Sequence, residues 1–163
     1  FMETLQTLWT QAGLKMGLRR KDGMLMTAAE LARSETIPKA SIVAAPRDGG
    51  NIAVRYFTPQ TGHASMAVSG GCCLAAACLV PGTTARRVAS GIATPGASLM
   101  DIQVSIENPA GRLDTTVVAA LGDEHLQIHS AAYRRSTQIL MRGHVPLYGA
   151  PSELQQALLA VRS

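Results

Sequence analysis

The fold is decided by residues 54–83, which read VRYFTPQTGHASMAVSGGCCLAAACLVPGT. A run of strand-forming residues, 52–57, ends at Thr58 and Pro59, where strand pairing is not expected to continue. A polar loop that carries His63 follows directly. The pattern therefore predicts a strand that is followed by a histidine-bearing loop and then by an apolar segment.

That apolar segment is opened by Ser69, Gly70 and Gly71 and closed by Pro81 and Gly82. It is too short to span a membrane and too apolar for a surface helix, so we predict a helix buried inside the domain. Ser69 is its expected N-cap residue, and the two glycines leave the backbone accessible. Because a helix N-terminus offers free N–H groups and a positive dipole end, a small-anion site is predicted there.

Length and composition narrow the class of protein. A chain of 163 residues suits one domain with a real core, and we expect that domain at 1–150 with a helical tail at 151–163. Hydrophobic residues make up 47% and aromatic residues 4%, so small aliphatic side chains must fill the core. The net charge of +4 comes from scattered basic residues without interleaved aromatics. An anionic small molecule is therefore favoured as a partner over nucleic acid.

The three cysteines, Cys72, Cys73 and Cys78, fall on the predicted helix. Neighbouring helical residues point about 100° apart, so Cys72 and Cys73 do not clamp one metal ion well. Their odd number and adjacent placement argue against a secreted disulfide framework. With no signal peptide, membrane span or lipidation motif, we expect a cytoplasmic protein with no membrane partner and no metal.

Periodicity predicts several strands and a few helices. Helices are expected at residues 5–16, 27–34, 69–80 and 151–161. Thr27 and Glu30 form a capping-box pattern at the start of the second of these helices. Strands are expected at residues 40–45, 51–57, 83–89, 101–107, 113–121 and 126–133. The sum is an α+β fold in which a curved, mostly antiparallel sheet wraps around a buried central helix, about residues 69–80. Neither a βαβ alternation nor a glycine-rich dinucleotide fingerprint is present, so a dinucleotide-binding fold is not expected.

The chain resembles the 2-methylaconitate cis-trans isomerase and 4-oxalomesaconate tautomerase family, which has a diaminopimelate-epimerase-like fold. The resemblance is carried by an ordered set of short motifs, none of them specific alone. They are Ile37-Pro38-Lys39, Ala45-Pro46-Arg47-Asp48-Gly49-Gly50, Gly62-His63-Ala64-Ser65, Ser69-Gly70-Gly71-Cys72, Pro81-Gly82-Thr83, Asn108-Pro109-Ala110-Gly111 and Arg135-Ser136 onward to Gly143.

The resemblance implies that this chain corresponds to the C-terminal half of a two-domain isomerase. Such proteins hold substrate between two similar halves, with both central helix N-termini pointing at it. The family's catalytic Lys and Cys lie in the first half, so nothing here matches them. In related epimerases a catalytic Cys precedes the helix, and the matching position here is Val68. The start at Phe1 and Met2, directly before a helical pattern, also favours a fragment.

His63 and Lys39 are the candidate catalytic residues. His63 sits in a loop, where it is expected to donate a hydrogen bond to a substrate carboxylate or to act as an acid. Its structural alternative is to pin the loop through the backbone. Lys39 follows Pro38 at the start of a strand, from which an ammonium group reaches into a cleft; the alternative is a solvated surface lysine.

Ser69, Gly70, Gly71 and Arg135 are the candidate substrate-binding residues. The alternative for the first three is an ordinary helix cap with glycines that allow close packing. Arg135 is implied by the resemblance to a family motif near the end of the chain, and a salt bridge is its structural alternative.

The resemblance implies a cofactor-independent isomerase or tautomerase that moves an allylic proton on small unsaturated di- or tricarboxylic acids. This chain is expected to supply the carboxylate-binding half of the site, and its partner is either a missing N-terminal half or a second copy. Two alternatives stay open. One is a catalytically incomplete remnant or anion-binding module of the same fold, and the other is an amino-acid epimerase or racemase, which Val68 argues against.

Overall fold

The computed structural model describes residues 1–122, 125–134, 138–143 and 148–161. Its elements are α1 (Met2–Lys15), α2 (Ala28–Arg33), β1 (Ala40–Ala44), β2 (Ile52–Thr58), β3 (Thr61–Gly62), α3 (Val68–Ala77), α4 (Thr84–Val88), β4 (Met100–Asn108), β5 (Gly111–Leu121), β6 (Leu126–Tyr133) and α5 (Ser152–Val161). Within these residues, no helix combines the length and the apolar character that crossing a membrane requires.

The strands form a single mixed sheet in the order β1-β2-β4-β5-β6, with the short β3 also paired to β2. All pairs are antiparallel except β2 with β4, whose parallel ladder joins Ile52 to Ile106 and Ala53 to Glu107. The predicted α+β class with a mostly antiparallel sheet is confirmed.

The core lies between one face of this sheet and α3. Alternating residues of β4 are buried, as the pattern of Ile102, Val104 and Ile106 predicts. Neighbouring strands, α3 and the residues on either side of α3 add the rest of the same cluster, which includes Ile52, Val54, Tyr56, Met66, Leu74, Ala75, Cys78, Leu79, Val117 and Ala119. Aliphatic side chains therefore dominate the core, as the low aromatic content indicates.

The central helix, α3, packs one side against β5 and β6. Gly71, Leu74 and Ala75 are buried on that side. Val68 and Cys73 are exposed on the helix surface that the sheet does not cover. The burial predicted for this helix is therefore confined to the side that meets the sheet.

Two local predictions are wrong, and both concern where a helix begins. Residues 83–89 are not a strand: the hydroxyl of Thr83 accepts a hydrogen bond from the Arg86 amide (3.1 Å) and caps the short helix α4. Ser69 is not the N-cap residue of α3. That position belongs to Ala67, which has an extended backbone and no capping side chain.

The two N-terminal helices pack against each other in front of the sheet. The indole N–H of Trp9 donates to the Leu31 carbonyl (3.2 Å), and a methyl group on Gly13 would lie only 2.7 Å from a Leu31 methyl. The predicted capping box of α2 is present, since Thr27 and Glu30 exchange side-chain and backbone hydrogen bonds. α1 is therefore fixed through α2, on the side of the molecule where β1 begins.

A buried carboxylate holds the turn between β1 and β2. Glu107, on β4, accepts hydrogen bonds from the amides of Arg47 (2.8 Å), Asp48 (2.7 Å) and Gly50 (2.8 Å). These bonds, with that of the Arg47 amide as the largest contribution, lower the pKa of Glu107 below its ordinary value. A methyl group on Gly50 would lie 2.7 Å from Glu107 Cγ, so this position admits only glycine.

We predict that Glu107→Gln lowers the thermal unfolding temperature at pH 7, because one amide N–H of the turn then faces an NH₂ group. The pKa of Glu107 is lowered in the folded state, so its stabilising effect is complete above the ordinary value of 4.5 and is lost as the pH falls through the folded-state value. Unfolding curves followed by circular dichroism should therefore separate at pH 7 and converge in acid.

The matched control is Glu35→Gln, which makes the same change of charge at an exposed position. It should leave the unfolding temperature nearly unchanged at both pH values. An equal loss for both variants, or a loss for Glu107→Gln that persists in acid, would contradict the role assigned to the carboxylate.

Candidate functional site

A cavity of about 770 Å³ opens between α1, the start of β1 and the uncovered side of α3; we call it the α3 cavity. Lys39, Tyr56, Ser69, Gly70 and Cys73 are among its lining residues. Most of the remaining lining consists of apolar side chains of α1 and of residues 37–42. The polar groups are thus concentrated where β1 and the start of α3 approach each other.

Within the described residues, the first turn of α3 presents hydrogen-bond donors that have no acceptor. The amides of Val68, Ser69 and Gly70 precede the first intrahelical bond, which runs from the Gly71 amide to the Ala67 carbonyl (2.9 Å). No acidic side chain lies in this first turn, and the N-cap residue Ala67 makes no side-chain bond. The positive end of the helix dipole therefore remains available to an anion.

The two glycines of this turn allow aromatic rings to approach the helix. A methyl group on Gly70 would lie 2.5–2.6 Å from the ring and hydroxyl of Tyr56, and one on Gly71 would lie 2.5 Å from the Tyr133 ring. Gly70 lines the α3 cavity, whereas Gly71 is buried and its amide is used within the helix. Of the two predicted glycines, Gly70 alone keeps a free amide at the cavity.

His63 lies in a neighbouring cavity of about 610 Å³, the His63 cavity, which shares Ile42 and Tyr56 with the α3 cavity. Its Nδ1 accepts a hydrogen bond from the Ser65 amide (3.0 Å), which places the proton of the neutral imidazole on Nε2. Its own amide donates to the Tyr56 carbonyl (2.8 Å), and the two rings meet edge to face with centroids 5.9 Å apart. These contacts fix the orientation of the imidazole ring and leave its Nε2–H as a hydrogen-bond donor.

Lys39 is exposed at the mouth of the α3 cavity, directly before β1. Within the part of the chain that the structure describes, its ammonium group makes no salt bridge; the ion pairs found there belong to Arg20. Lys39, Ser69 and Gly70 thus line one cavity, and His63 lies in the next. Arg135, the remaining candidate substrate-binding residue, lies outside the described residues.

The cysteines diverge as predicted from the helical spacing. The Cys72 thiol points to the Ala131 carbonyl (3.6 Å), Cys73 is exposed and Cys78 is fully buried. Burial raises the pKa of Cys78 to about 11, which leaves it an inert core thiol at neutral pH. Over the described ranges, no group of three His, Cys, Asp or Glu side chains is placed to hold a metal ion.

Tyr56 is the site residue that sequence reasoning missed. Its alternation with Val54 on β2 predicts an inward side chain, but this pattern alone does not distinguish a core residue from a cavity wall. The structure places its ring between His63 and the start of α3. The feature that links Tyr56 to the site is the contact between a tyrosine on a strand and a glycine, Gly70, on a helix.

Known proteins of similar sequence are isomerases. The chain is 36% identical over 128 residues to a (4E)-oxalomesaconate Delta-isomerase from Novosphingobium sp. (strain KA1), covering 78% of this chain and 33% of that protein. It is 32% identical over 146 residues to a 4-oxalomesaconate tautomerase from Pseudomonas putida, covering 88% of this chain and 38% of that protein. The chain thus spans little more than a third of the length of these relatives.

A solved structure shows the same fold. The crystal structure of a methylitaconate-delta-isomerase superposes with a TM-score of 0.61 at 20% identity, covering 82% of this chain and 36% of that one. The sequence pattern of the family described as PrpF protein matches residues 2–148, which is most of the chain. Because that match runs through the sheet, α3 and the residues around both cavities, the chain belongs to the PrpF protein family.

Proposed function

We propose that this chain forms the carboxylate-binding half of a cofactor-independent isomerase that moves an allylic proton on small unsaturated di- or tricarboxylic acids. The observation that carries the proposal is the uncapped start of α3, whose free amides share a cavity with the unpaired Lys39. The isomerase names of the relatives support the reaction class.

In the proposed mechanism, a base removes a proton from the allylic carbon of the substrate, and its electron pair spreads over the double bond toward a carboxylate. The resulting dienolate-like anion takes up a proton at the other end of the allylic system, which completes the shift of the double bond. Negative charge grows on the carboxylate oxygens during the first step. Donors fixed at that point before reaction stabilise the charge without reorganisation.

We assign these donors to the amides of Ser69 and Gly70, to the Lys39 ammonium and to Nε2–H of His63. The first two are held by the helix, and His63 is held by its bond from Ser65. A separate base, on the opposite side of the substrate plane, is required. We propose that it is supplied by the additional length that the relatives have and this chain does not.

The expected affinity of this chain alone is weak. A helix N-terminus contributes about 0.3–1 kcal/mol toward an anion, and an exposed lysine about 0.2–1 kcal/mol. Two hydrogen bonds to a charged group add about 1.5 kcal/mol each. The helix-dipole and amide contributions overlap, and association costs translational and rotational freedom. The expected dissociation constant is therefore about 1 mM or weaker.

A second candidate function is a non-enzymatic anion-binding module of the same fold. It is favoured by the bond between His63 and Ser65, which gives the imidazole a structural role in its own loop. An epimerase or racemase is disfavoured, because Val68 brings an alkyl side chain to the first position of α3, where such enzymes need an acid or base.

Two further assignments complete the proposal. We place the protein in the cytoplasm, because its three cysteines are free thiols. We divide the chain into one domain at residues 1–150 and a tail at 151–163, because the side chains of α5 from Ser152 to Ala160 are exposed.

We predict that Ser69→Asp abolishes carboxylate binding while keeping the fold. An aspartate in the first turn of α3 suits the helix dipole, so the unfolding temperature should be kept or raised. Its charge occupies the anion site, so saturable binding of cis-aconitate should be lost at millimolar concentrations. Titration of the ¹⁵N-labelled chain, followed at the amides of Gly70 and His63, measures the change.

The control is Thr84→Asp, which adds the same charge to the exposed first turn of α4. It should bind cis-aconitate as the original chain does. Saturable binding of cis-aconitate by the Ser69→Asp variant would show that the anion binds elsewhere than at the start of α3. A complete absence of binding by the original chain at millimolar concentrations would contradict the proposed half-site.

We predict that His63→Asn separates the two roles of the imidazole. The Asn side-chain oxygen replaces Nδ1 as acceptor for the Ser65 amide, so the loop and the unfolding temperature should be preserved. The variant lacks Nε2–H, so its affinity for cis-aconitate should fall about tenfold. His63→Ala, which loses both groups, should also lose stability. Unchanged affinity in His63→Asn would assign the histidine to loop structure alone.

We also propose that the isolated chain self-associates through the apolar wall of the α3 cavity. Leu8, Met16 and Ile42 line this wall and are 62%, 65% and 42% exposed. Contiguous apolar surface of this kind is typical of interfaces.

Light scattering should therefore give a mass above the 17.1 kDa of one chain, and Leu8→Lys should lower it toward that value. Gln11→Lys, which changes another exposed position of α1, should have no such effect. A monomer at all concentrations would exclude this association.

A further inference from the structure

We propose that the hydroxyl group of Tyr56 is a further substrate-binding group, which donates a hydrogen bond to a carboxylate held at the start of α3. The inference rests on the proposed function and extends it to a residue in the strand that lies beneath the site. It concerns a neutral donor that is buried, in contrast to the exposed ammonium of Lys39.

The position of Tyr56 is fixed from two sides. Its ring meets the His63 imidazole edge to face, and its hydroxyl lies 2.6 Å from where a methyl group of Gly70 would be. Gly70 belongs to the first turn of α3, so the Tyr56 hydroxyl lies against that turn. The free amides of α3 are found in the same turn.

The hydroxyl of Tyr56 also has no hydrogen-bond partner in the described part of the chain. The side chain is 3% exposed and lines both the α3 cavity and the His63 cavity. Among residues 1–122, 125–134, 138–143 and 148–161, no side-chain or backbone group bonds to its oxygen. The oxygen is not one of the fully enclosed unpaired atoms found in the described residues either.

A buried hydroxyl without a protein partner is unusual in folded proteins and calls for an explanation. Most buried tyrosine hydroxyls have such a partner. A ligand carboxylate at the start of α3 would supply the missing acceptor, since it has about four acceptor positions and the free amides use only some of them. The tyrosine hydroxyl is therefore complementary to the same anion that the helix attracts.

The Tyr56 phenol is in the protonation state that a hydrogen-bond donor requires. Burial, followed by the nearby Cys73, raises the pKa of Tyr56, so the phenol keeps its proton and remains a donor at neutral pH. Gly70 is required for the arrangement, because any side chain there would displace the tyrosine ring. Gly70 thus leaves room for the Tyr56 ring and also keeps the helix backbone accessible.

The test uses Tyr56→Phe, which keeps the ring against Gly70 and His63 and removes only the hydroxyl. Its affinity for cis-aconitate should be about tenfold weaker than that of the original chain. Tyr148→Phe removes a hydroxyl from an exposed tyrosine and should leave the affinity unchanged. Unfolding temperatures of both variants check that the fold is retained.

A direct readout comes from the tyrosine rings. The chain has three tyrosines, so labelling their Cζ atoms with ¹³C gives three signals, which the two variants assign. The proposal expects the Tyr56 signal to shift with the same saturation curve as the Gly70 amide.

The possible results distinguish the role of the Tyr56 hydroxyl from the proposed carboxylate-binding half of the site. Saturable shifts at Gly70 with an unmoved Tyr56 signal, or with equal affinity in Tyr56→Phe, overturn the role of the hydroxyl and leave the half-site intact. No saturable shift at Gly70 or at any tyrosine overturns both.

Discussion

The structure depends on how closely α3 approaches the sheet. Gly71 lets the helix backbone lie against the ring of Tyr133 on β6, and Gly70 does the same for Tyr56 on β2. Any side chain at either position would push the helix away by about the thickness of a methyl group, and the aliphatic core beneath it would lose its dense packing. Two adjacent glycines thus fix the distance between α3 and the sheet, and this distance sets the position of the first turn of α3.

The helix start connects packing with chemistry. The side of α3 that carries Leu74 and Ala75 is buried in the core, while its first turn ends at a cavity wall. The free amides at that end cannot be moved without moving the core residues one and two turns later. A rigid element of this kind holds donors more accurately than a loop does. Relatives of the chain are named isomerase and tautomerase, and donors fixed before a reaction stabilise the negative charge that develops in it.

Local patterns in the sequence predicted most of the elements. The alternation of Ile102, Val104 and Ile106 identified β4, and the pairing of Thr27 with Glu30 identified the start of α2, because both signals act over a few residues. The wrong assignments at Ser69 and at residues 83–89 arose where two local signals compete. Thr83 is a good strand former and also a good N-cap, and its position after α3 decides in favour of the cap.

The contacts that form the site were not predictable in the same way. Lys39 and the start of α3 were identified individually, but Tyr56 and Glu107 act through partners distant in sequence. Glu107 reaches the Arg47 amide, 60 residues away along the chain. No period or spacing in the sequence records such a contact, since it depends on which strands become neighbours.

The short parallel pairing between β2 and β4 has a consequence for folding. It joins the β1-β2-β3 part of the sheet to the long β4-β5-β6 antiparallel part through two residue pairs. Side chains reinforce the seam, because Glu107 binds the β1-β2 turn and Asn51 accepts from the Ser105 amide (2.8 Å). Contacts close in sequence form early, so the β4-β5 hairpin is expected to assemble before this seam closes. The seam is then the natural boundary between two cooperative units in hydrogen exchange.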